Sequence, residues 1–177
     1  MRVTVFGGSI PKAGEPAYEQ ALRLGKLLGE AGHTVLNGGY IGTMEAVSQG
    51  ASQAGGHVIG VTCDQIEAWR TVMPNTWIMD EMRYETQRER LHALIDHCDA
   101  AIALPGGIGT LAEVTEMWSN LQIGAIARRP LILVGPGWQS VIEQFYAALG
   151  EYVGEQYRDL LTFAKDVDGA VEALAGV

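Results

Sequence analysis

Positive charge and cysteine are what this sequence is shortest of. Twelve Lys and Arg stand against 21 Asp and Glu, a formal net charge of −9, so the chain scarcely has the residues to build a basic surface for nucleic acid or an anionic membrane. The expectation is a protein with no nucleic-acid and no membrane partner. Cys63 and Cys98 are too few for a disulfide framework, and neither stands at metal-ligand spacing from another Cys or a His. Both are read as free thiols. The histidines, His33, His57, His92 and His97, are scattered, with the closest pair five apart rather than four, which predicts no metal site. A run of about 20 apolar residues is missing, as is an apolar signal core after Met1, and the expected location is the cytoplasm.

The motifs of the common cofactors are missing too. A dinucleotide-binding domain places Gly-x-Gly-x-x-Gly after its first strand and an acid at the end of its second. Here the first turn reads Gly7-Gly8-Ser9-Ile10-Pro11 and the second strand ends in Asn37. No Gly-Lys-Ser/Thr occurs, so a triphosphate cradle of that type is excluded. The only lysines, Lys12, Lys26 and Lys165, do not follow a strand as a Schiff-base lysine for pyridoxal phosphate would. No cofactor is expected.

What is present is glycine, 23 residues in a chain of 177 that is 47% hydrophobic and 19% charged. The glycines gather at the ends of apolar runs, the chemistry of turns rather than of low complexity. Apolar runs alternate with helical patterns throughout, which predicts residues 1–177 to be one α/β domain, doubly wound and Rossmann-like, with a mostly parallel sheet. Strands are expected at Val3–Phe6, Thr34–Leu36, His57–Val61, Thr76–Met79, Ala100–Leu104, Leu131–Val134 and, at an edge, Leu160–Phe163. Helices are expected through Ala17–Leu28, Thr43–Ala54, Glu81–Cys98, from Thr110, and over Gln139–Leu149 and Val167–Ala175. Thr62–Asn75 shows little periodicity and is read as a loop crossing the mouth of a site. On the helix expected at Glu81–Cys98, Arg83, Gln87 and Arg90 recur at i, i+4 and i+7, a face that meets either a ligand or water.

The stretch Pro105-Gly106-Gly107-Ile108-Gly109-Thr110-Leu111-Ala112-Glu113 joins a buried strand to a helix. Its glycines let successive N–H groups turn toward one point, and the helix N-terminus adds about half a positive charge there, which suits phosphate. Glu113 does not. It is either the N3 partner of an N-capping Thr110 in a Thr-x-x-Glu box, or an acid facing the sugar of a ligand whose phosphate is held nearby, and the two roles are compatible. With the turns at Gly8-Ser9 and Gly38-Gly39-Tyr40-Ile41-Gly42-Thr43-Met44, two or three glycine turns converge on one crevice in an open α/β sheet. A nucleoside monophosphate fits that crevice, phosphate on the helix N-termini and sugar at Glu113.

These residues carry a resemblance over most of the chain. The Pro-Gly-Gly-x-Gly-Thr-x-x-Glu motif at Pro105–Glu113, the Gly8-Ser9 turn, the second turn from Gly38 to Met44, and Glu116 and Gly124 downstream are similar to the LONELY GUY cytokinin-activating phosphoribohydrolases, a family often labelled lysine decarboxylases. The resemblance implies hydrolysis of the N-glycosidic bond of a nucleoside 5′-monophosphate, such as AMP or an N6-substituted AMP, without a metal. It implies Arg90 and Glu113 as the catalytic pair, Arg90 holding phosphate or ribose. Gly8, Ser9, Gly38, Gly39, Gly42, Thr43, Met44, Gly106, Gly107, Ile108, Gly109 and Thr110 would bind substrate and phosphate. It also implies a homodimer, for which Met117, Trp118, Leu121 and Ile123 are candidate contacts, although core packing accounts for them equally. The family's Met-His-x-Arg-Lys segment stands here as Gln87-Arg88-Glu89-Arg90-Leu91, and Ala112 replaces a second Glu of the plant-type motif. The competing class is a non-catalytic nucleotide or molybdenum-cofactor carrier with the same glycine turns.

Overall fold

The computed structural model describes residues 1–176. Seven strands form one sheet: β1 (Arg2–Phe6), β2 (Thr34–Asn37), β3 (Val58–Cys63), β4 (Asp80–Tyr84), β5 (Ala100–Ala103), β6 (Leu131–Val134) and β7 (Thr162–Ala164). Their order is β4-β3-β2-β1-β5-β6-β7 and every pairing is parallel, so the sheet is wholly rather than mostly parallel. The helices are α1 (Pro16–Glu30), α2 (Thr43–Gln53), α3 (Asp64–Arg70), α4 (Gln87–Asp96), α5 (Ile108–Ile123), α6 (Pro136–Leu149) and α7 (Val167–Ala175).

Two apolar layers follow from the period of two along each strand. Val3, Val5, Ile102, Ile132 and Val134 face α1, α2 and α7, while Phe6, Ala101, Ala103, Leu131 and Leu133 face α4, α5 and α6. Thr4 shares the second face and satisfies its buried hydroxyl by donating to Leu94 O at 2.7 Å. Both faces are covered, which is why the strands read as continuous apolar runs. Met117, Trp118 and Leu121 are buried in the second layer, and only Ile123 of the candidate dimer contacts is exposed, at 72%.

The sequence misplaces the region before α4. Glu81 is not the start of a helix: Asp80–Tyr84 is β4, paired with β3, and α4 begins at Gln87 behind a Thr86 N-cap. Thr76–Met79 precedes the strand rather than forming it. Arg83 therefore lies on β4, bound to Asp64 and Glu67 at 2.6 and 2.7 Å, and shares no helix face with Gln87 and Arg90. The stretch without periodicity holds the end of β3 and then α3.

Because β2, β1 and β5 are adjacent and parallel, their glycine turns all leave from the carboxyl ends of the strands on the same side of the molecule, and chain order reverses between β1 and β5. That is the switch point where open α/β sheets bind ligands. The α1–α2 contact behind it has no room for side chains. A Cβ on Gly25 would overlap the Val47 carbonyl, and one on Gly50 the Leu22 carbonyl. Gly25→Ala and Gly50→Ala should each destabilise the protein by about 1–3 kcal/mol, outweighing the gain of up to about 1 kcal/mol in helix propensity. Denaturant unfolding tests this, and unchanged midpoints would mean the helices separate freely.

Candidate active site

The three turns are tied to one another by their own backbones. The Gly8 amide donates to Pro105 O at 3.3 Å, and the Gly8 carbonyl accepts from the Thr43 amide at 2.9 Å and the Thr43 hydroxyl at 3.0 Å. Approach is close enough to exclude side chains: a Cβ on Gly42 would stand 2.6 Å from Ser9 Cα, and Gly42 has a φ of 75° besides. Gly106 lies against the Thr110 side chain. Gly8, Ser9, Gly42, Thr43, Gly106 and Thr110 thus come together as expected. Several of their polar groups are already engaged. Both donors of Thr43 serve Gly8, the Gly39 amide donates to Asn37 Oδ1 at 2.8 Å, and Gly39 O accepts from the Asn75 amide at 2.8 Å.

The amides at the start of α5 are not engaged in this way. The helix opens at Ile108 with Gly107 as N-cap and no capping side chain. The expected start at Thr110, and the Thr110–Glu113 capping box, are therefore not formed. Thr110 is the third residue of the helix, its buried side chain packed against Gly106, and so does not occupy the N-cap. A capping box does form, but on α4, between Thr86 and Glu89. Leu111 N to Gly107 O, at 3.0 Å, is the first bond of α5, so the amides of Ile108, Gly109 and Thr110 precede any helical acceptor. Gly106, Gly107, Ile108 and Gly109 are exposed. This helix end is open and electropositive.

Glu113 sits one turn further into α5, buried, with no hydrogen bond among the described residues. Its Oε1 lies 3.8 Å from Arg90 Nη1. Arg90 is only 4% exposed and held from several sides. Its Nε donates to Val61 O at 2.7 Å and Nη1 to Gln87 Oε1 at 3.3 Å, and its guanidinium lies 5.7 Å from the Tyr40 ring centroid. Gly38 makes the space: a Cβ there would overlap Arg90 Nη2 and stand 2.6 Å from Met44 Sδ. Gly38 and Met44 therefore border the arginine. Burial pushes the Glu113 carboxyl up to about 7, with the Arg90 charge pulling the other way. Burial likewise pushes the Tyr40 hydroxyl up to about 12, keeping it protonated as it donates to Cys63 O at 3.1 Å.

Sequence reasoning missed two contributors. Asn75 locks the second turn, its Nδ2 donating to Tyr40 O at 3.0 Å. Arg70, at the end of α3, donates from Nη1 to Ser9 Oγ at 2.6 Å. Its signal was the charge order of Asp64–Arg70, acids first and arginine last, which marks a short helix.

Residues 44–174 match the protein family described as "possible lysine decarboxylase". The chain belongs to this family. Its LONELY GUY relatives include a rice (Oryza sativa subsp. japonica) protein named "probable cytokinin riboside 5′-monophosphate phosphoribohydrolase LOGL9", 31% identical over 98% of this chain and 77% of its own. A Rhodococcoides fascians protein named cytokinin riboside 5′-monophosphate phosphoribohydrolase is 29% identical over 97% of this chain and 88% of its own. Among solved structures, a molybdenum cofactor binding protein from Rippkaea orientalis shares the fold with a TM-score of 0.77, at 24% identity, over 99% of this chain and 95% of its own.

The raised Glu113 value has a consequence for stability. Between the ordinary carboxylate value of 4.5 and about 7 the folded protein holds a proton that the unfolded chain has released. Stability from this group is thus lost as pH rises through that window, by an amount of order 3 kcal/mol. Glu113→Gln should match wild type in thermal unfolding at acid pH, become the more stable of the two as pH rises from 4.5 to 7, and keep a constant advantage above. A pH-independent difference would show that Glu113 titrates normally.

Proposed function

We propose that this protein is a nucleoside 5′-monophosphate phosphoribohydrolase, cleaving the N-glycosidic bond of AMP or an N6-substituted AMP to free base and ribose 5-phosphate. The observation that carries this reading is the buried Glu113 carboxyl beside Arg90, one turn below the open N-terminus of α5. The names borne by its LONELY GUY relatives support it.

The phosphate sits on the amides of Ile108, Gly109 and Thr110, at the positive end of α5. Thr110 and Glu113 are three residues apart, about 4.5 Å along the axis, so a sugar reaching down from that phosphate brings its anomeric carbon toward the carboxylate. Cleavage passes through an oxocarbenium-like state. The C–N bond electrons leave with the base, water adds to the anomeric carbon, and ionised Glu113 stabilises the cation and accepts the proton that water gives up, after which a proton passes to the departing base so that it leaves neutral and the carboxylate is restored. Arg90 acts mainly on Glu113. Held by Val61, Gln87 and Tyr40, its fixed charge favours the ionised carboxylate that burial disfavours. Gly38 and Met44 make room for it, and Gly8, Gly39, Gly42 and Thr43 fix the turns around the substrate. The reading includes a homodimer, to which exposed Ile123 is the candidate contributor, and a cytoplasmic location. The carrier alternative rests on likeness of fold alone and would appear as tight AMP binding without release of base.

Two measurements test the reading. AMP should be cleaved with kcat/KM at least about 100-fold above adenosine, because the riboside leaves the anion site empty. Equal values would remove phosphate anchoring. The kcat/KM profile should rise with pH through an inflection near 7, the Glu113 value, and Arg90→Gln should move that inflection upward, since the Arg90 charge is what lowers it. An inflection that stays in place would detach Arg90 from Glu113 ionisation.

A further inference from the structure

The buried position of Arg90 leaves a question of charge. A phosphate dianion at the α5 N-terminus meets amide dipoles, and the nearest buried guanidinium is bound to a carbonyl and paired with Glu113. We infer that Arg70 supplies the missing cation, and that the exposed end of α3 is a second clamp on the substrate's phosphate. This rests on the monophosphate reading above.

Four observations carry it. Arg70 is exposed and forms no ion pair among the described residues, whereas Arg23, Arg83 and Arg90 all do. Among the described residues it is the one Lys or Arg whose side chain hydrogen-bonds to a residue of the glycine turns, through Ser9 Oγ at 2.6 Å. Ser9 follows Gly8, whose amide reaches Pro105 O and whose Cα would carry a Cβ 3.4 Å from Gly106 Cα, so the guanidinium lies on the same lip as the open end of α5. Finally, its position is built. The guanidinium lies 4.4 Å from the Trp69 ring centroid, and α3 is tied to the sheet by Arg83, which pairs with Asp64 and Glu67. Arg70 occupies the last turn of α3, the end that favours a cation. A neutral hydroxyl holds the guanidinium weakly. A phosphate oxygen would bind its planar fork in a charge-assisted pair.

The experiment is titration calorimetry of wild type, Arg70→Ala and Arg70→Lys with ribose 5-phosphate, and with adenosine as the ligand lacking phosphate. Arg70→Ala should weaken ribose 5-phosphate binding about 10–100-fold, leave adenosine binding unchanged, and flatten the salt dependence seen in wild type. Arg70→Lys should recover part of the affinity. Melting temperatures of Arg70→Ala and Arg70→Gln should equal wild type, because the side chain is exposed. Unchanged ribose 5-phosphate binding in Arg70→Ala overturns the proposal, as does equal weakening of both ligands, which would make Arg70 a strap for α3. Wild type that fails to bind ribose 5-phosphate overturns it as well. Base cleavage is not needed for this readout. A wild type that binds ribose 5-phosphate through Arg70 yet releases base from no monophosphate would therefore support the clamp while contradicting the hydrolase reading.

Discussion

An arginine and a glutamate, both buried and 3.8 Å apart without a hydrogen bond between them, set the requirements that the rest of the site meets. Removing two charges from water is costly, and an imperfect pair does not recover that cost by attraction alone. The guanidinium is compensated by Val61 O, Gln87 and the face of Tyr40. The carboxyl has no such compensation, and its proton affinity rises accordingly. A fully satisfied carboxylate here would be more stable and a poorer proton acceptor.

The fold supplies the geometry for this arrangement. A wholly parallel sheet sends the turns after β1, β2 and β5 to the carboxyl ends of its strands, and the reversal of chain order between β1 and β5 opens a crevice there. Glycine is needed at different points for different reasons: Gly42 for a left-handed backbone against Ser9, Gly38 to admit the Arg90 guanidinium. The second turn therefore shapes the arginine's seat. The open amides belong to α5, and Glu113 follows them by one turn of the same helix.

The sequence made the sheet and the three turns legible because buried parallel strands read as short apolar runs and turns as glycine clusters. α7 falls where its pattern placed it, at Val167–Ala175. β4 was not legible: Asp80–Tyr84 is an edge strand with exposed Glu81 and Arg83, and its charges read as the polar face of a helix. The start of α5 was misjudged because Thr-x-x-Glu is a capping signature, while the glycine before Ile108 caps without a side chain. Glu113 stands out in the motif as an acid that phosphate does not require, whereas Arg90 was identified through family resemblance. Their burial, and the exposed Arg70 beside Ser9, depend on contacts between distant residues that no local pattern encodes.

The central claim is that burial beside Arg90 turns Glu113 into a group that exchanges its proton near neutrality. It is tested most directly by a ¹³C NMR titration of glutamate side-chain carboxyls, with the Glu113 resonance assigned by its absence in Glu113→Gln. The account predicts a midpoint of about 7. A midpoint at the ordinary carboxylate value of 4.5 would contradict it.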